Sequence, residues 1–328
     1  MSGWFAWFLC AVCTFTGNHV LGQRADTGTK SDPMQKVLHS LEVLHHKMQA
    51  INSRIERIEQ KLDIGPSAGK QSPPPTVPST SVYVHGSDVV DVDSRRLNVD
   101  EVLFGYDLIF ESHRLFLGSS WLGVQSMQNP ADAWSLQQLQ WRIKPKVVVD
   151  IGTNVGGSAV LFADIMSHYL EPGQGVIVSC DPKHVSVNAE PQGAAAKCPD
   201  CTSGDKSPLW KWVDYHQAKS MDDAAIKAVE AAVKKHGGPV LVSVDGDHDG
   251  PTVLEELRAY AKFVTPGSYM VVQDTKLDRL WSFRQYKGPL WAIRQFLAEP
   301  AGAQWEVDRD RELFWYSQHA HGYLKKKG

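Results

Sequence analysis

Residues 83–328 predict a doubly wound α/β fold built on a mostly parallel sheet. Three observations carry that expectation. Short, apolar, β-branched runs alternate with helical stretches from Lys146 onward, the pattern of strands buried on both faces by crossover helices. Four of those runs close on an aspartate, at Asp150, Asp181, Asp245 and Asp274. The first run is followed at once by a glycine-rich loop, Gly152-Thr153-Asn154-Val155-Gly156-Gly157-Ser158.

The chain before that domain has a different character. An apolar run of thirteen residues, WFAWFLCAVCTFT from Trp4 to Thr16, is shorter than the ~20 residues that span a bilayer. It has the length of a signal-peptide core, with small residues near Gly22 for cleavage, but no Lys or Arg precedes it. Residues 1–22 read as a signal peptide or as an uncleaved signal anchor, with an organelle presequence as the remaining alternative. In residues 34–63, Met34, Val37, Leu41, Leu44, Met48, Ile51, Ile55, Ile58 and Leu62 recur at spacings of three and four with charged residues between them. That is an a/d seam, predicting a coiled coil through which the chain forms a homo-oligomer. The competing reading is an amphipathic helix packed on the main domain. Residues 64–82, rich in Pro and Ser, predict an extended linker that disfavours such packing.

Within the domain, residues 100–143 read as mainly helical, with Pro130-Ala131-Asp132 opening a helix that Lys144-Pro145 ends. Strands follow at 147–151, 175–181, 212–216, 239–245 and 268–274. Helices are expected at 157–169, 222–235, 251–263 and 289–297. Residues 305–308 and 313–317 read as a closing hairpin.

Ligands of such sheets lie beyond the carboxyl ends of the strands, which puts Asp150, Gly152, Asp181, Asp245, Gln273 and Asp274 on one rim. A dinucleotide fingerprint fails, because Asn154 stands where the second glycine belongs, and no Gly-Lys-Ser/Thr follows for a P-loop. Backbone N–H groups around Gly152, Thr153, Gly156, Gly157 and Ser158 can hold a carboxylate at a helix start, as the amino-acid end of S-adenosylmethionine requires. Asp150 then falls near its ammonium, and Asp181 near both ribose hydroxyls.

These residues carry a resemblance. Trp121-Leu122-Gly123, Pro130-x-Asp132, Lys144-Pro145 into DIGTNVGGSAVLFA, VDGDHDGPTVLEELRAYAKFVTPGSYMVVQDT, the Gly288-Pro289 helix and Gly322-Tyr323-Leu324-Lys325 resemble the cephalosporin hydroxylase / rhamnosyl O-methyltransferase family over roughly residues 105–326. The resemblance implies a Rossmann-like fold of the class I methyltransferase type, S-adenosylmethionine as cofactor and methyl transfer to a hydroxyl. It also implies a divalent metal, taken as Mg²⁺ because hard oxygen donors favour it, with ligands mapping to Asp245, Gln273 and Asp274. Gln273 departs from the pattern, since the antibiotic-tailoring member has an acid there. His248, three residues after Asp245, is the candidate base for the hydroxyl proton, against a bland reading as a loop histidine bonded to backbone. Tyr269, Arg284 and Trp291 lie on nearby segments as candidate acceptor contacts.

Cys198-Pro199-Asp200-Cys201 reads as a local disulfide, free thiols or half of a metal site, and Cys180 as a core residue. Lys325–Lys327 has the form of a dilysine tail, better read as a solvated terminus. With 34 basic and 37 acidic side chains the net charge is −3, which leaves no basic excess for nucleic acid. The expected partner is a small-molecule, glycan or glycolipid acceptor in the secretory pathway or outside the cell. A membrane enters only if the leader remains as an anchor. A metal-dependent oxygenase and a catalytically impaired binding module are the alternatives. No two-His-one-carboxylate spacing supports the first, and Gln273 keeps the second open.

Overall fold

The computed structural model describes residues 89–93, 95–185, 198–280 and 287–328. The leader, the predicted coiled coil, the linker and Arg284 lie outside the described residues. A hairpin of β1 (Val89–Val92) and β2 (Arg95–Asn98) opens the described chain, where the sequence suggested no strand. Helix α1 (Val99–Ser112) follows, its first turn capped by the Asn98 side chain, which accepts from the Glu101 N–H. A small hairpin, β3 (Ser120–Trp121) with β4 (Val124–Gln125), leads into α2 (Pro130–Ile143). That helix has the bounds its sequence predicts. Asn129 caps it, Pro130 occupies its first turn, and Lys144 leaves it in a left-handed conformation before Pro145.

The domain then alternates β5 (Val147–Ile151), α3 (Gly157–Ser167), β6 (Val176–Asp181), β7 (Val213–Gln217), α4 (Asp223–His236), β8 (Val240–Val244), α5 (Gly250–Tyr260) and β9 (Tyr269–Val272). Helix α6 (Pro289–Ala298), β10 (Trp305–Val307) and β11 (Tyr323–Lys326) complete it. The seven-stranded sheet runs β7-β6-β5-β8-β9-β11-β10. Its first five strands are parallel, and β11 is antiparallel to both neighbours.

Period-two alternation builds a core on each face of the sheet. Val147, Val149 and Ile151 of β5 and Val240, Val242 and Val244 of β8 pack with α4, α5 and α6. Val148 and Leu241 face the other way, onto α2 and α3. Helices on both faces leave the strand tips as the open rim, and the strand order reverses at β5 and β8, where a crevice forms.

The closing hairpin is a correction. Residues 313–315 form a short 3₁₀ turn, with Phe314 and Trp315 at positive φ, and the strand that pairs with β10 is β11. Lys325 and Lys326 are therefore strand residues rather than a solvated tail, and Lys327 alone lies exposed beyond the strand. Lys326 Nζ donates to the carbonyls of Ala261 and Val264, and Lys325 pairs with Glu306. Among the described residues no helix is long and apolar enough to cross a membrane.

Candidate active site

The tips of β5 and β8 nearly touch. A Cβ on Gly152, whose φ is +94°, would sit 2.1 Å from the Asp245 carbonyl oxygen, so only glycine lets the two strand ends close together. A Cβ on Gly157 would meet the Gln125 carbonyl at 2.2 Å, which fixes the start of α3 against β4. The loop between them walls a cavity of about 1020 Å³ at the carboxyl edge of the sheet, roomy for a nucleoside-sized ligand and a second small molecule.

Gly152, Thr153, Gly157, Ser158 and Asp181 line this cavity, as do Asp245, His248 and Asp274. Asp181 is oriented from below: Oδ2 accepts from the Asn154 N–H at 2.9 Å and Oδ1 from the Lys183 N–H at 2.8 Å. Thr153 is buried, its hydroxyl 2.6 Å from that of Ser179. Gly156 stands behind the wall, packed on Gly204 and the Trp210 ring.

Asp150 corrects the sequence reading. Its side chain is fully buried beneath the loop, with Oδ2 accepting from Ser179 at 2.7 Å and Ser158 at 3.1 Å, and it does not line the cavity. Burial pushes its carboxyl up to about 6 against the lowering effect of the two hydroxyls. Through Oδ2 it supports the loop, while Oδ1 has no hydrogen-bond partner among the described residues.

At the other end of the cavity, one oxygen or nitrogen each of Asp245, His248 and Asp274 lies within 4.8 Å of the others. His248 Nε2 is 3.0 Å from Asp274 Oδ2. Burial opposes a charged imidazole, yet the Asp274 hydrogen bond and the charges of Asp274 and Asp245 prevail and push His248 up to about 9. Asp245 is driven well above the usual carboxylate range by burial and by the Asp274 charge. For Asp274 burial is overcome by Lys276 and His248, which hold its carboxyl well below that range.

Gln273 is the second correction. Its neighbour Asp274 turns to the cavity, and Gln273 goes the opposite way, as successive residues at a strand end do. It is 2% exposed; its Nε2 donates to Ser243 Oγ at 2.8 Å and its Oε1 accepts from Gln128 Nε2 at 2.7 Å. Its amide is thus turned away from Asp245 and Asp274, so the expected set Asp245, Gln273 and Asp274 is not assembled; the side chains whose ligand atoms converge closely enough to hold an ion are Asp245, His248 and Asp274. Both oxygens of Asp274 are taken, Oδ2 by His248 and Oδ1 by Lys276 Nζ at 3.0 Å. Sequence reasoning missed Lys276. A lysine two positions beyond a strand-end acid was the available signal, but nothing local says that it is buried.

Tyr269 is the third correction. It begins β9, at the far end of the sheet from the cavity, with its hydroxyl on Asp308. Trp291 stacks under Lys287, 4.5 Å from Nζ to ring centroid, and is not part of the wall. Cys198 and Cys201 form a disulfide, the first of the three alternatives. Cys180 is buried, its thiol pushed up to about 12 by burial, which makes it inert.

The profile of the family described as "Rhamnosyl O-methyltransferase/CmcI" matches residues 114–327, well over half of the sequence. The chain belongs to this family. It is accordingly an O-methyltransferase that uses S-adenosylmethionine. A rhamnosyl O-methyltransferase of Mycobacterium leprae is 24% identical over 225 residues, spanning 66% of this chain and 90% of the relative. One from Mycobacterium bovis is 23% identical over 220 residues, spanning 66% and 82%. Among solved structures, a CmcI described as Mg-SAM is similar at a TM-score of 0.45 and 15% identity, over 64% of this chain and 77% of the other. The O-methyltransferase TomG from Streptomyces achromogenes, in complex with SAM, is similar at 0.38 and 18%, over 70% and 98%.

Proposed function

We propose that this O-methyltransferase acts on a hydroxyl of a carbohydrate, in a glycan, a glycolipid or a small glycoside. The observation that carries this reading is the single cavity joining the glycine loop and Asp181 at one end to His248 and Asp274 at the other. Asp181 is placed to accept from the donor's ribose hydroxyls. The N–H groups at the start of α3 face the donor's carboxylate, assisted by the helix dipole. The rhamnosyl relatives support a sugar as acceptor.

Methyl transfer is an in-line displacement at a sulfonium carbon, and the attacking hydroxyl must lose its proton. The neutral imidazole of His248 is the form that accepts it. Pairing with Asp274 makes that form the minor one at neutral pH. His248→Gln should leave S-adenosylmethionine affinity within about twofold and lower turnover by ~10²–10⁴, the usual contribution of a positioned base. Unchanged turnover would assign the base elsewhere.

The deciding experiment is calorimetric titration of the chain with S-adenosylmethionine, then transfer of labelled methyl to a panel of free and lipid-linked rhamnosides and other glycosides. Micromolar binding and an alkali-stable label on sugar are expected. Binding of the donor with label on no sugar would remove the carbohydrate reading. No binding of the donor would favour the impaired binding module.

A further inference from the structure

Lys276 is a buried cation bonded to Asp274, one of the three side chains whose ligand atoms converge at the end of the cavity. Its side chain is 4% exposed. Nζ lies 3.0 Å from Asp274 Oδ1, 3.0 Å from Glu111 Oε1 and 2.8 Å from Gln318 Oε1. Three N–H bonds thus meet three oxygen acceptors, which uses the whole donor capacity of an ammonium. The Phe110 ring covers it, 5.6 Å from Nζ to centroid. A buried charge persists only when paired and hydrogen-bonded in this way.

The acceptors are themselves held. Gln318 donates from its Nε2 to Asp107 at 3.4 Å, and its backbone N–H donates to Asp132 at 2.9 Å. Asp107 lies on α1 and Asp132 on α2, and both are 0% exposed. Lys276 therefore cannot swing away without unpairing Asp274, Glu111 of α1 and an amide oxygen that is itself fixed. Its positive charge stays against Asp274, whose second oxygen is on His248, while Gln273 is turned under the sheet.

We propose that Lys276 is the resident cation of this site, holding Asp274 against His248 in the role a divalent ion would otherwise have, so that the chain binds its methyl donor without metal. With all three N–H bonds committed, Lys276 is a positioning residue. The inference uses the methyltransferase reading only for the identity of the donor.

The test is run on the full chain in two arms. In the first, Mn²⁺ is titrated and free Mn²⁺ is followed by electron paramagnetic resonance, for the natural protein and for Lys276→Met, which keeps an unbranched side chain one atom shorter and removes its charge. The natural protein should show no site tighter than roughly millimolar. A folded Lys276→Met protein should bind one Mn²⁺ at least tenfold more tightly, at Asp245, His248 and Asp274. Lys276→Arg, which restores the charge, should abolish that gain. In the second arm, S-adenosylmethionine affinity is measured with excess chelator and with Mg²⁺, and should differ by less than about twofold.

Stoichiometric Mn²⁺ binding by the natural protein would overturn the proposal, as would a tenfold loss of donor affinity on chelation. A folded Lys276→Met protein that still ignores Mn²⁺ would overturn it as well. If Lys276→Met does not fold, the natural protein's own titrations decide. Absence of donor binding in every condition would sink the methyltransferase reading, and the Mn²⁺ titrations would still judge Lys276.

Discussion

Two aspartates at neighbouring strand ends have opposite fates, and the difference can be measured. Asp150 is shut beneath the loop and Asp181 opens into the cavity. The folded state holds a proton on Asp150 up to about pH 6, whereas the unfolded chain releases it near the ordinary aspartate value of 3.8. Folding is thus favoured by this group below about pH 4, and that contribution is lost as pH rises to about 6. Asp150→Asn should raise unfolding stability above pH 6 by on the order of 2–3 kcal/mol and make no difference near pH 4. Urea titrations at the two pH values check the sign. Asp181→Ala should weaken S-adenosylmethionine by ~10–100-fold, the loss of charge-assisted bonds to two hydroxyls, with an unchanged melting temperature. The sequence shows which residues end strands, so Asp181, Asp245 and Asp274 were legible. It does not show which face a side chain takes beyond the last paired residue, and Gln273 escaped for that reason; Asp150 is paired within β5, and what the sequence hides there is that Ser158 and Ser179 close over its carboxyl. Lys276 escaped because its partners, Glu111 and Gln318, are 165 residues before it and 42 after it in the sequence.

Elements with a strong local signature were the legible ones. Helix α2 keeps its predicted bounds because Asn129, Pro130 and Lys144-Pro145 mark both ends. Strands β5, β6, β8 and β9 stand out as apolar runs buried on both faces. Strand β11 has no such mark: two of its four residues are lysines, and only its partners β9 and β10 make it a strand. Residues 313–315 looked extended by composition, yet positive φ at Phe314 and Trp315 breaks them into a turn. The segment after that turn ties the helices together through Asp132, which accepts from the Ser317 hydroxyl and the Gln318 N–H. Asp132→Ala should cost about 3 kcal/mol, since two buried donors lose a charged acceptor. Denaturant unfolding would show it as a lower midpoint at unchanged slope. A midpoint within about 0.5 kcal/mol of the natural protein would mean that water replaces the carboxylate.

At the scale of the whole molecule, the alternation of strands and helices made the doubly wound sheet legible, but not the insertion of β11 between β9 and β10. Residues 34–62 lie outside the described residues, and we propose that their a/d seam assembles the chain. Light scattering should find the full chain as a dimer or trimer and residues 83–328 as a monomer; one state for both would remove that role. Strand β11 also couples the edge of the sheet to the site. It lies between β9 and β10, and the turn that carries Gln318 to Lys276 immediately precedes it. Whatever loosens β11 therefore leaves β10 without a partner and frees an acceptor from Lys276, so that edge and site come apart together.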